Sequence, residues 1–346
     1  MTRGFWVAAL LAVMTMTQPT QSTAMGYSLL KFDDLSGWEQ DDHSAALTVF
    51  LETCSINKKP EWKALCKLAK SDPSAKAFFE MFFRPVLVED GKPALFTGYF
   101  EPELSGSLVK TSRFRYPLYR KPPEVKSGTP WLTRRQIEET GALQGRGLEL
   151  VWVDDPVEVF FLQIQGSGRV RLPNGKAMRV GYGGANGRNY RSIGQELIRR
   201  GIYSKHQVSA QVIQNWVRRN PYDGAELLRH NPSYVFFRKV TKVPLSKGPI
   251  GAMNRSVTTG RTLAVDPKYT PLGAPVWLEK DGRDKIRRLM VAQDTGSAIK
   301  GAQRADIFYG SGDAAGRAAG RIRDPGRMVV LMPIQTAFGL VPEDAE

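Results

Sequence analysis

Residues 289–312 read LMVAQDTGSAIKGAQRADIFYGSG. Two short apolar runs flank a loop of small residues, and Asp294 and Asp306 bracket that loop. Asp306 lies directly against Ile307, Phe308 and Tyr309, with no turn residue between them. A carboxyl held among apolar neighbours resists ionisation, so its pKa rises and it can donate a proton. Asp294, followed by Thr295 and Gly296, is also a good turn former. Acid–base chemistry on short strands is the first expectation.

The neighbouring sequence has the same texture. VFFRKV (235–240), RTLAVD (261–266), APVWLE (274–279), RRLMVAQD (287–294), ADIFYG (305–310) and RMVVLMP (327–333) are all short and β-rich. No long crossover helix separates them, which favours a barrel over a doubly wound parallel sheet. Upstream, residues 41–56 carry a helical stripe of Ala46, Val49, Phe50 and Cys54 behind Asp41 or Asp42 as cap. A second helix is expected to start at Asp72-Pro73, with Ala77, Phe78, Met81 and Phe82 as its face. Val86 to Val88 and Ala94 to Phe100 read as a hairpin around Asp90-Gly91. The middle is proline-punctuated at 114–123. It then gives several short strands over 148–184, with turns at Asp154-Asp155-Pro156, Gly166-Ser167-Gly168 and Pro173-Asn174-Gly175. Helices are expected over 193–200, 210–219 and 225–229.

The 346 residues suffice for one large or two medium domains. Arg3 and the apolar run Phe5 to Met16, followed by Ser22-Thr23-Ala24, fit a secretory signal peptide over 1–24. An uncleaved anchor is the alternative. The run is short for a membrane span, which needs roughly 20 residues. In an oxidising compartment the two cysteines, Cys54 and Cys66, are as suited to a disulfide as to two buried thiols. The formal charge of +15 suits an anionic polymer, and among these nucleic acid fits an exported chain without a recognised binding motif least. Charge for solubility alone is the bland alternative.

Several chemistries lack their residues. His43, His206 and His230 are scattered, and no HExxH, CxxC, GxSxG or Walker pattern occurs. No metal and no cofactor are expected. The glycines from Gly181 to Gly187 read as a tight loop lining a groove. Carboxylates and aromatics remain, with Asp266, Asp294 and Asp306 as candidates. In glycoside cleavage a carboxylic acid protonates the leaving oxygen. Asp266 before Pro267 and Asp294 both suit turns, whereas Asp306 does not, so the pattern prefers Asp306.

GRTLAVDPKYTPLGAPVWLE (260–279) followed by the opening stretch resembles the three-aspartate domain, a small double-psi β-barrel. FTGYFEPELSGS (96–107), YPLYRKPP (116–123) and DPVEVFFLQIQGSGRVRLPNG (155–175) extend the resemblance to the membrane-bound lytic murein transglycosylase A family. It runs from about Phe79 to Pro333. It implies a mainly β fold with some helices, in which a double-psi barrel is interrupted by a second, smaller β-rich domain, with a groove between them for glycan strands. On this chain the barrel would combine 25–103 with 238–346, and 104–237 would be the insert.

The resemblance also implies cleavage of the β-1,4 bond between N-acetylmuramic acid and N-acetylglucosamine in peptidoglycan, leaving 1,6-anhydro ends. Asp306 would be the single acid and base, and Asp294 the supporting acid. Thr97 and Tyr99 would line the cleavage site. Gln163, Gln165, Ser167, Gly183, Gly184 and Asn186 would hydrogen-bond sugar, Asp266 would complete the aspartate set, and Lys300 would meet a peptide carboxylate. Alternation on one exposed strand face is the plain reading of Gln163 and Gln165. Family members often carry a lipoprotein cysteine after the leader. No cysteine follows this apolar run, so a soluble periplasmic form or a signal anchor is expected in place of a lipid anchor. Two alternatives stay open: a two-carboxylate peptidoglycan hydrolase, and a non-catalytic wall-binding module of the expansin kind.

Overall fold

The computed structural model describes residues 25–71, 74–282 and 284–341. The expected signal peptide and the Asp72-Pro73 helix start lie outside the described residues. The strands are β1 (Gly26–Leu29), β2 (Phe83–Glu89), β3 (Leu95–Glu101), β4 (Glu103–Ser107), β5 (Tyr116–Tyr119), β6 (Glu149–Val153), β7 (Gly168–Arg171), β8 (Ala177–Ala185), β9 (Val235–Val240), β10 (Thr262–Val265), β11 (Pro275–Lys280), β12 (Ile286–Asp294), β13 (Arg304–Ser311), β14 (Arg323–Asp324) and β15 (Gly326–Pro333). They build two sheets. One has nine strands in the order β1-β2-β15-β11-β12-β10-β13-β3-β14, and the other has six in the order β5-β6-β4-β7-β8-β9. The chain leaves the first sheet after β3 and returns to it at β10, so the fold is two β-rich units, one inserted in the other. The strand order of the larger sheet is open, with no pairing of β1 to β14 among the described residues.

Strand alternation decides what each face carries. Leu263 and Val265, Val276 and Leu278, Met290 and Ala292, and Ala305 and Ile307 are i, i+2 pairs in one buried core with Phe96 and Met328. The intervening residues point the other way. On β11, β12 and β15 these include Trp277, Leu289, Val291, Val329 and Leu331, covered by an aromatic layer of Phe50, Trp62, Phe78, Phe79 and Phe83. Fully burying a side chain of this size contributes about 1.5–3 kcal/mol. On β10, β13 and β3 the corresponding residues Ala264, Asp306 and Tyr99 line a cleft.

The helix His43–Thr53 takes Asp42 as its cap, the carboxylate accepting from Ala45 N at 3.0 Å. The next helix, Pro60–Ala69, brings Cys66 back to Cys54, and the two form a disulfide. This settles the choice that sequence left open.

Two expectations are corrected. β2 and β3 do not form a hairpin: β2 pairs with β1 and β15, and β3 pairs with β13 and β14. Asp90 bends the chain, accepting from Lys92 N, but also accepts from Ala302 N at 3.3 Å, and the segment crosses to another part of the sheet. Alternation fixes which residues face the core, not which strand lies alongside. The run after Asp155 is a helix, Pro156–Gln165, not a strand. Asp155 caps Val157 N at 2.8 Å, Pro156 occupies the first turn, and Gly166 at φ 78° ends it. Val157, Phe160 and Gln163 recur at helical spacing on its buried face.

A buried ion cluster joins the two units. Glu101, at the end of β3, is fully buried and accepts from Arg169 Nε and Arg179 Nε, each at 2.7 Å. Ser311 Oγ donates to it at 2.7 Å from β13. β7 and β8 of the smaller sheet are thus tied to β3 and β13 of the larger.

Candidate active site

Four adjacent backbone positions bring the carboxyls together. Ala264 on β10 pairs with Asp294 on parallel β12 and with Asp306 on antiparallel β13, and Asp306 pairs in turn with Thr97 on parallel β3. The β12 register breaks beside Ala264: Leu263 pairs with Ala292, and the next residue pairs with Asp294. This bulge passes over Gln293, whose buried side chain accepts from Thr262 Oγ1 at 2.5 Å. A bulge re-aims the following side chain, here towards the cleft. Ala264 between the carboxyls is small enough to leave room above it. Gly98 is required on β3, because a Cβ there would sit 2.9 Å from the Tyr309 ring and 2.8 Å from Ala319 Cα.

The two carboxyls have different surroundings. Asp306 Oδ1 accepts from Thr97 Oγ1 at 2.7 Å. Burial raises the Asp306 pKa above the usual 3.8, while the Thr97 hydrogen bond and the Arg304 charge pull it down and the Asp294 charge pushes it up. Asp294 accepts from Ala252 N and Thr295 N on Oδ1, each at 2.9 Å, and from Tyr99 Oη on Oδ2 at 3.0 Å. Burial raises its pKa as well, and these three donors oppose that by favouring the ionised form. The Tyr99 hydroxyl is held protonated by burial and then by Asp294. Its ring packs 5.1 Å from that of Phe308.

The cleft has two adjoining cavities of about 290 and 710 Å³. Both are lined by Tyr99, Asp294, Gln163, Gln165 and Tyr190, so larger-sheet carboxyls face smaller-unit amides. Asp306 lines the smaller cavity and Ser167 the larger. Gln163 is buried and accepts from Arg134, whose guanidinium also donates to Ser233 O at 2.9 Å and lies over Phe160 and Tyr234. Gln163 and Gln165 lie on a helix and not on the strand face expected of them, and its last turn brings both to the cleft.

Other expected positions fall elsewhere. Asn186 is fully buried; its Nδ2 donates to Leu132 O and Pro232 O, and its Oδ1 accepts from Tyr234 N. It ties loops together and is not offered to sugar, contrary to expectation. Asp266 is buried and accepts from Lys268 N and Gly301 N, the turn-shaping role. Gly183 and Gly184 do not line the cleft, although Gly181, Tyr182 and Ala185 beside them do, and Lys300 lines neither cavity. Sequence reasoning missed Arg134, Tyr190 and Ala264. Alanine alternating with Leu263 and Val265 was a usable signal for the last; for the other two no local signal exists.

Residues 95–238 match the family described as MltA specific insert domain, and residues 261–332 match the 3D domain family. A membrane-bound lytic murein transglycosylase A of Vibrio cholerae is 34% identical over 264 residues, covering 72% of this chain and 69% of that protein. The chain belongs to the membrane-bound lytic murein transglycosylase A family. It is an enzyme of the lytic murein transglycosylase class. Among solved structures of the family, the Agrobacterium tumefaciens membrane-bound lytic murein transglycosylase superposes with a TM-score of 0.81 at 31% identity, covering 91% of this chain and 99% of that one. Escherichia coli MltA with bound chitohexaose superposes at 0.69 with 29% identity, covering 84% and 89%. The curated relatives carry "membrane-bound" in their names. Among the described residues of this chain no helix is long and apolar enough to cross a membrane.

Proposed function

We propose that this transglycosylase cleaves the muramic acid–glucosamine bond with Asp306 as its only acid and base. The protonated Asp306 gives its proton to the glycosidic oxygen, the C1–O bond breaks, and the glucosamine leaves with a free 4-hydroxyl. The Asp306 carboxylate then takes the proton from the muramoyl C6 hydroxyl as that oxygen bonds to C1. A 1,6-anhydro ring closes, Asp306 is again protonated, and no water is consumed. The nucleophile belongs to the same sugar, so proximity lowers much of the barrier.

The observation that carries this reading is the engagement of Asp294. Three donors hold its two oxygens, which suits a fixed negative charge beside a cationic C1. It does not suit a base that must collect water, as a two-carboxylate hydrolase requires. Thr97 and Tyr99 hold the two carboxyls, and Gln163, Gln165 and Ser167 bind sugar groups. The glycan bound in the E. coli relative supports a glycan strand in the same cleft. The smaller unit begins with β4 at Glu103 and ends with β9 at Val240, a few residues outside the 104–237 expected from sequence, and the enzyme works outside the cytoplasm in wall turnover. Mass spectrometry of material released from purified peptidoglycan tests this. Muramoyl ends lighter by one water support the mechanism, and reducing ends overturn it in favour of hydrolysis.

A further inference from the structure

We propose that Arg304 is a positioning residue that acts through Thr97 to confine the acidic proton of Asp306 to Oδ2. The proposal rests on the reading of Asp306 as the acid. Arg304 and Asp306 are i, i+2 on β13 and share a strand face, and Thr97 on β3 is the register partner of Asp306. Arg304 Nη2 donates to Thr97 Oγ1 at 2.8 Å, and Thr97 Oγ1 donates to Asp306 Oδ1 at 2.7 Å. The direction of this chain is forced. A guanidinium only donates, and a threonine hydroxyl has one hydrogen. With Arg304 on its lone pair, Thr97 turns that hydrogen to Asp306. Oδ1 is then an acceptor, and the acidic hydrogen sits on Oδ2.

Arg304 is itself held. Its Nη1 donates to Ala305 O at 2.5 Å and to Leu95 O at 3.2 Å, so the guanidinium bridges β13 and β3. Its positive charge also acts on Asp306, favouring the carboxylate. Asp294 is the other titratable group acting on Asp306, Asp306 acts in turn on Tyr99 and Tyr309, and Arg323 on β14 acts on Arg304. Loss of the guanidinium removes a charge that favours carboxylate and frees Thr97 to rotate. Both effects raise the pKa of Asp306, and the second lets its proton populate the unproductive oxygen.

The test is kcat and KM against pH on soluble glycan strands for Arg304→Met, Arg304→Lys, Thr97→Val and the Met/Val double variant, with Asp306→Asn alongside. Arg304→Met and Thr97→Val should each lower kcat roughly tenfold, as for one charge-assisted hydrogen bond, with KM little changed. The alkaline limb of kcat/KM should move to higher pH in both. The double variant should be no worse than the weaker single one, because both break the same relay. Arg304→Lys keeps the charge but not the fork, so kcat should fall with the limb moving less than in the methionine variant. It decides the matter if the methionine variant does not fold. A wild-type profile with only a lower melting temperature, additive losses, or wild-type kcat in the lysine variant would overturn the relay. An active Asp306→Asn would instead overturn the assignment of the acid, independently of what Arg304 does.

Discussion

Replacing Glu101 with Gln should loosen the joint between the two sheets. The carboxylate is fully buried and bound by Arg169, Arg179 and Ser311 at 2.7 Å each. Removing one member of a buried ion pair costs about 3–5 kcal/mol, because the remaining charge stays buried without compensation. Glutamine retains one accepting oxygen, and Arg179 keeps the carbonyls of Pro244 and Lys247 at 3.0 and 2.6 Å. The lower end of the range, about 3 kcal/mol, is therefore expected. Urea unfolding followed by tryptophan fluorescence measures it. Activity on glycan strands should fall as well, because Glu101 fixes the unit carrying Gln163 and Gln165 against the strands carrying Asp294 and Asp306. A stability change below about 1 kcal/mol, the value of an exposed pair, would refute the view that this cluster holds the cleft together.

Three further outcomes follow from the same geometry. Serine at both Cys54 and Cys66 should lower stability by about 3 kcal/mol, the loop-entropy value for a short closed loop, read as the urea midpoint shift with the native protein under reducing conditions as a second arm. Asp306→Asn should stabilise the fold at neutral pH. The native carboxyl binds its proton more tightly than the unfolded one, so its contribution is fully present below the unfolded pKa near 3.8 and is lost as pH rises through the higher folded value. Thermal melts of variant and parent should agree in acid and diverge above that window. Retention on purified sacculi should weaken as salt rises from 0.05 to 0.5 M on the order of the screening expected for a net charge of +15, measured by co-sedimentation.

Sequence displayed much of the chemistry and less of the topology. Asp306 was legible because Ala305 and Ile307 flank it on the opposite strand face, and a carboxyl at that position has no surface pattern to belong to. Thr97 and Tyr99 stood in a recognisable motif, but their partners come from strands some 200 residues away, and pairing between distant strands leaves no local trace. The β2–β3 hairpin failed for that reason. The helix Pro156–Gln165 failed for another: its apolar run is nearly continuous, so alternation and helical spacing compete, and the Asp155-Pro156 capping signal was read as a turn. That reading put Gln163 and Gln165 on a strand, whereas the end of a helix carries both to the cleft. The resemblance implied a sugar ligand at Asn186, but burial of its amide among Leu132, Pro232 and Tyr234 gives it a structural part.

The most direct test of the account compares Asp306→Asn with Asp294→Asn on purified peptidoglycan, following turnover and sacculus binding together. The account predicts that Asp306→Asn binds like the parent but releases no product. Asp294→Asn should retain weak turnover, because a neutral amide still fills the same hydrogen-bonded position. Turnover by Asp306→Asn at the parental rate would contradict the assignment of the acid and with it the mechanism.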